Sequence, residues 1–88
     1  MPAILTTETF EKLFRRLPEE LKKKTRKAIR LLAEDPRHKS LQSKPVKGAP
    51  GIYEARVDRQ YRITYGRLSG DRLLLRVVAR HDEALKNP

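Results

Sequence analysis

The sequence predicts an α+β domain. An N-terminal strand and a two-helix hairpin pack on one face of a mostly antiparallel, roughly four-stranded sheet, followed by a short C-terminal helix. Two observations carry this. Apolar residues recur at helical spacing in the first half of the chain and alternate with period two in the second. Helices therefore come in one run and strands in another, unlike the strict alternation of βαβ units. At 88 residues the chain suits one domain, spanning positions 1–88, and not two.

Residues 2–6 are short and mostly apolar and read as an edge strand. Thr6 and Thr7 offer hydroxyls to cap a helix. Phe10, Leu13, Phe14 and Leu17 then mark one helical face. Pro18 ends that helix and suits the first turn of the next, where Glu19 and Glu20 meet the positive end of the helix dipole. The second helix runs from 18 to 33 or 34. Leu21, Thr25, Ala28, Ile29 and Leu32 form its inner face, and Lys23, Arg26, Lys27 and Arg30 another. Asp35-Pro36 stops it, because a residue before proline resists the helical region.

Residues 37–50, RHKSLQSKPVKGAP, read as a loop anchored by Leu41 and, less firmly, by Val46. A loop this long in a compact domain is often functional. Residues 52–57 alternate, with Tyr53, Ala55 and Val57 on one face and Ile52, Glu54 and Arg56 on the other. Asp58-Arg59-Gln60 makes the turn. Tyr61, Ile63 and Tyr65 then share a face opposite Arg62 and Thr64. Ser69-Gly70-Asp71 is a second turn. Residues 73–79 are apolar on both faces apart from Arg76, as in a central strand. His81-Asp82-Glu83 opens the last short helix.

Composition narrows the function classes. Lys and Arg number 21 against 11 Asp and Glu, a net charge of +10. So basic a surface favours polyanions, because binding releases their condensed counterions. An acidic protein partner would answer the same field. The absence of cysteine excludes disulfides and thiolate metal sites. His81 has no companions at ligand spacing, so no metal or other cofactor is expected. No stretch reads as a signal peptide or membrane span, and the expected location is the cytoplasm.

If the helices cover the face bearing the tyrosines, the opposite face presents Glu54, Arg56 and Arg62. Period-two parity in the last strand adds Arg76 and Arg80 to that face, with His81 at its end. Such a guanidinium-lined sheet suits phosphates. The structural alternative is a solvated face with Glu54 paired to a cross-strand arginine, which needs no function.

Several segments together resemble the RelE/ParE superfamily of bacterial toxins. These are Leu41 in a loop after Asp35-Pro36-Arg37, GIYEARV from Gly51, YRITY from Tyr61 and VVARHDE from Val77. The resemblance implies a RelE-like fold and the toxin of a type II toxin–antitoxin system. In the RelE branch that toxin is an mRNA interferase, a ribosome-dependent endoribonuclease that inhibits translation. The implied partners are an acidic cognate antitoxin, mRNA and the ribosome, with DNA engaged only indirectly through the antitoxin. Arg56 and Arg62 fall where RelE-like nucleases keep basic residues on the cleavage face. Lys47, Arg76 and Arg80 are the implied RNA contacts. Glu54 stands where the best-known nucleases carry a lysine and some relatives a glutamate base. The family's HDEAY-like ending reads HDEAL here, with Leu85 in place of the tyrosine.

The implied chemistry is attack of a 2′-OH on the adjacent phosphate. Arg56 and Arg62 would stabilise the transition state, and Glu54 and His81 would serve as base and acid. Two other readings stay open: a ParE-like DNA gyrase poison, and a basic nucleic-acid-binding module without activity.

Overall fold

The chain passes from its first strand into its first helix at Thr7. In the computed structural model, which describes residues 2–88, Thr7 Oγ1 accepts from the Phe10 N–H at 3.0 Å and donates to the Arg76 carbonyl at 3.0 Å. One hydroxyl thus caps the helix and ties it to the sheet. β1 (Ala3–Thr6) precedes the cap and α1 (Glu8–Arg15) follows it. Pro18 opens α2 (Glu19–Glu34), which ends where Asp35 turns extended before Pro36. Thr25, Ala28 and Leu32 are the buried residues of α2, on the face the sequence assigns to the core.

Residues 37–50 hold more structure than the expected loop. A 3₁₀ turn (Lys39–Leu41) seats the buried Leu41, and β2 (Lys44–Pro45) pairs antiparallel with β3 (Ile52–Arg56). The sheet therefore has five strands rather than four, in the order β1-β5-β4-β3-β2. Lys44-Pro45 is joined by main-chain pairing, which leaves no hydrophobic pattern in the sequence. β3, β4 (Tyr61–Leu68) and β5 (Arg72–Arg80) form an antiparallel meander, and β1 lies parallel to β5.

The main core lies between the helical hairpin and one sheet face. Phe10, Ala28 and Leu32 meet Ala55, Ile63, Tyr65, Leu73, Leu75 and Val78 there, with Leu41 from the loop. Fully burying a side chain such as Phe10 contributes about 1.5–3 kcal/mol.

The expected strict alternation of the last strand is corrected by a β-bulge. Thr64 pairs with Val77 but Tyr65 pairs with Leu75, so Arg76 is an extra residue on β5. A bulge of this kind reverses the faces beyond it. Leu73 and Leu75 face the core before it, and Val78 faces the core after it. Val77 and Ala79 take the opposite face. Arg80, opposite Tyr61, takes the helix side instead of joining Arg62.

The face away from the hairpin is also not open, as parity alone suggests. Glu54 and Thr64, cross-strand partners on that face, are buried. α3 (His81–Lys86) packs against β4 and β5, with Ala84 fully buried, and its C-terminal end shares a recess with Ile52 and Val77. The short last helix folds back over the sheet and covers its middle.

Candidate functional site

The β3–β4 turn is built on Asp58. Its Oδ1 accepts from the N–H groups of Gln60 at 2.9 Å and Tyr61 at 2.8 Å, and its Oδ2 lies 3.5 Å from Lys24 Nζ of α2. Burial works against the charged carboxylate. The two backbone donors and the ammonium outweigh it, so the Asp58 carboxyl sits below its ordinary range.

The Asp58 carbonyl then gathers the arginines. It accepts from Arg56 Nε at 3.3 Å and from Arg62 Nη1 at 2.7 Å. Arg62 Nη1 also reaches the Tyr61 carbonyl at 3.0 Å, while Arg62 Nε lies 3.6 Å from Glu54 Oε1. Arg56 and Arg62 are direct cross-strand partners. Two like charges so placed repel. The shared carbonyl and the Glu54 carboxylate offset that repulsion and hold the guanidinium groups at the end of the sheet.

Beside them is a recess of about 310 Å³ lined by Arg59, Gln60, Arg62, Arg80, His81 and Asp82. The His81 N–H donates to the Gln60 carbonyl at 2.6 Å, which fixes the start of α3 against the turn. Arg80 Nη1 donates to Gln60 Oε1 at 3.3 Å, and its guanidinium lies 5.7 Å from the centre of the Tyr61 ring. His81 Nδ1 is 3.3 Å from Asp82 Oδ1. Three cationic side chains and one imidazole thus face one concavity with a single acidic neighbour. That arrangement can bind a phosphate and exchange a proton beside it.

The structure brings together Arg56, Arg62, Arg80 and His81 of the residues singled out in the sequence. Arg80 arrives from the helix side, round the end of the sheet. Glu54 is only 4% exposed and sits behind Arg62. It is placed to hold the guanidinium rather than to reach a ribose hydroxyl.

Arg76 is elsewhere: its Nε donates to the Pro88 oxygen at 3.0 Å, in the recess under the C-terminal end of α3. It keeps the face opposite the hairpin, but it lies three residues along β5 from Ala79, the partner of Arg62, and so does not join the other arginines as expected. Lys47 lies exposed in the turn before β3, at the strand end remote from Arg56. The sequence marks Arg59 and Gln60 only as turn residues, and their place between two arginine-bearing strands is the available signal. Among the described residues no group of three or more acidic or histidine side chains is placed to hold a metal. Nor is any helix among them long and apolar enough to cross a membrane.

This architecture is that of a known class, the RelE-like fold. A YoeB/ParE toxin from Agrobacterium tumefaciens matches with a TM-score of 0.76 at 21% identity, over 90% of this chain and 98% of its own. RelE in the RelB–RelE antitoxin–toxin complex from Methanococcus jannaschii matches with a TM-score of 0.73 at 23% identity, over 96% and 99%. YafQ from E. coli matches with a TM-score of 0.76 at 16% identity, over 94% and 97%. No family model and no curated protein sequence matches the chain. The protein thus has the fold of the RelE, YoeB and YafQ toxins, as the sequence resemblance implies.

Proposed function

We propose that this protein is the toxin of a type II toxin–antitoxin system and a ribosome-dependent endoribonuclease that cuts mRNA and inhibits translation. The observation that carries the reading is the recess where Arg59, Arg62 and Arg80 face His81. RNA cleavage without a metal needs positive charge on the scissile phosphate and a group that moves a proton. In this mechanism the ribose 2′ oxygen attacks the adjacent phosphorus and the P–O5′ bond breaks. The products are a 2′,3′-cyclic phosphate and a free 5′-OH.

Arg62 and Arg80, with Arg56 beside Arg62, stabilise the charge that builds on the phosphoryl oxygens, commonly the largest catalytic effect. His81 is the proton-transfer group. With Nδ1 against Asp82, its Nε2 is the nitrogen free to take the 2′ proton, and the departing O5′ takes a proton from solvent to become the 5′-OH. Glu54 acts through Arg62, fixing it beside Asp58 and Tyr61. Lys47 and Arg76 lie outside this centre and serve as RNA backbone contacts remote from the cut.

The net charge of +10 supports an acidic antitoxin as the neutralising partner. The antitoxin-bound RelE of similar fold supports the same partner. DNA contact would come through that antitoxin, and action on translating ribosomes places the protein in the cytoplasm. An mRNA carrying one 2′-deoxy nucleotide at the mapped cut site tests the chemistry. It should resist cutting there, and equal cutting of the deoxy site would overturn 2′-OH attack.

Leu85 favours one competing reading. The last helix offers no tyrosine where nucleases of this resemblance carry one. A ParE-like gyrase poison needs no such residue. Inhibition of gyrase supercoiling with translation unaffected would select it.

A further inference from the structure

We propose a second, non-catalytic anion site on this protein: a phosphate-binding recess between the 36–45 segment and the Tyr53–Tyr65 pair. Tyr65 is fully buried, and its ring stacks on Tyr53 with centroids 5.7 Å apart. Its hydroxyl is nevertheless buried without a hydrogen-bond partner among the described residues, and so is Ser43 Oγ. Tyr65 and Ser43 line the same recess, of about 300 Å³. Each buried hydroxyl left without a partner is costly, and a ligand that draws it into the recess would supply one.

The rest of the lining says what that is. Arg37, Lys44 and Arg67 border the recess, and no aspartate or glutamate does. His38 adds a donor. Its Nδ1 accepts from the Ser40 N–H at 3.1 Å, so the neutral ring carries its proton on Nε2. Donors and positive charge without a carboxylate suit an oxyanion. A nucleobase is disfavoured, because Tyr65 stacks on the Tyr53 ring and the Arg67 guanidinium lies 4.7 Å from that ring's centre.

This recess shares no residue with the one at Arg62 and His81. Tyr53 and Arg56 are three positions apart on β3, about 10 Å along the strand. The phosphate could come from two sources, a free phosphate ion or the diester of a nucleic-acid strand.

The test is amide NMR of the full chain, titrated in parallel with inorganic phosphate and with an uncleavable 2′-deoxy dinucleoside monophosphate. Saturable shifts are expected in the 38–44 segment. Tyr65→Phe keeps the ring, and Ser43→Ala removes only a hydroxyl. Each should weaken binding about tenfold, as loss of a hydrogen bond to a charged group does. Tighter binding of the ion assigns the site to free phosphate, and tighter binding of the diester assigns it to a nucleic-acid backbone. Shifts that vanish in Arg62→Ala but persist unchanged in Tyr65→Phe would place the anion in the other recess and overturn the proposal. Unsaturable shifts, or equal binding by wild type and both hydroxyl variants, would overturn it too.

Discussion

Glu54 Oε1 lies 3.6 Å from Arg62 Nε, with the two side chains only 5% and 17% exposed respectively. The pair joins the covered middle of the sheet to its arginine-bearing end. It makes the arginine of the recess a structural residue as well.

Removing one partner of such a pair leaves the other charge poorly solvated, at a cost of about 3–5 kcal/mol. Arg62→Gln and Glu54→Gln should each lower stability in urea unfolding. The double variant Glu54→Gln/Arg62→Gln should lose clearly less than the sum of the single effects. Additivity within about 0.5 kcal/mol would show that the pair is not coupled.

Asp58 gives stability a defined pH dependence. Its carboxyl is held below the ordinary value of 3.8, so the native state binds the proton less readily than the unfolded chain. That stability is fully present above the unfolded value and is lost as pH falls through the lowered native one. Asp58→Asn should be less stable than wild type near neutrality, and the gap should narrow in acid. Melting temperatures followed by circular dichroism from pH 7 to pH 2 check this. A gap that is constant with pH contradicts it.

Thr64 Oγ1 is buried with no hydrogen-bond partner among the described residues, directly across from Glu54. Thr64→Val keeps the shape and removes the unsatisfied hydroxyl. It should raise stability by about 1 kcal/mol in chemical denaturation. A loss of similar size would mean that the hydroxyl has a partner in solution.

Thr7 couples the cap of α1 to the bulge, through Phe10 N–H and the Arg76 carbonyl. Thr7→Ala should cost about 1–2 kcal/mol. It should also speed amide exchange in the first turn of α1, while Thr7→Ser restores most of the protection.

Much of this fold was legible because burial leaves a period in the sequence. Phe10, Leu13, Phe14 and Leu17 marked α1, and Tyr53 and Ala55 against Glu54 and Arg56 marked β3. The bulge at Arg76 was not legible. Leu73 to Ala79 is apolar on both faces, so a reversal of faces changes no visible pattern. The bulge turns Arg80 to the helix side, while Arg76 stays on the opposite face beside Pro88. β2 was hidden because Lys44-Pro45 pairs through its backbone. The packing of α3 on β4 and β5 was hidden because the residue it buries is Ala84, too small to announce a core position. Parity and resemblance singled out Arg56, Arg62 and His81, which the fold gathers at one end of the sheet. Arg59 and Gln60 join them only through the three-dimensional path of the turn.

The central claim is that the Arg62–Arg80–His81 recess cuts mRNA on the ribosome. The direct measurement is a cell-free translation reaction programmed with one defined mRNA, with new 5′ ends mapped by primer extension. Wild type would be run beside His81→Ala and Arg80→Ala. Arg80 is exposed and the His81 side chain is 44% exposed, so neither truncation disturbs the core. New ends should appear only when wild type and ribosomes are both present, and each variant should cut at least about tenfold more slowly. Uncut mRNA with undisturbed translation, or variants that cut as fast as wild type, would contradict the account.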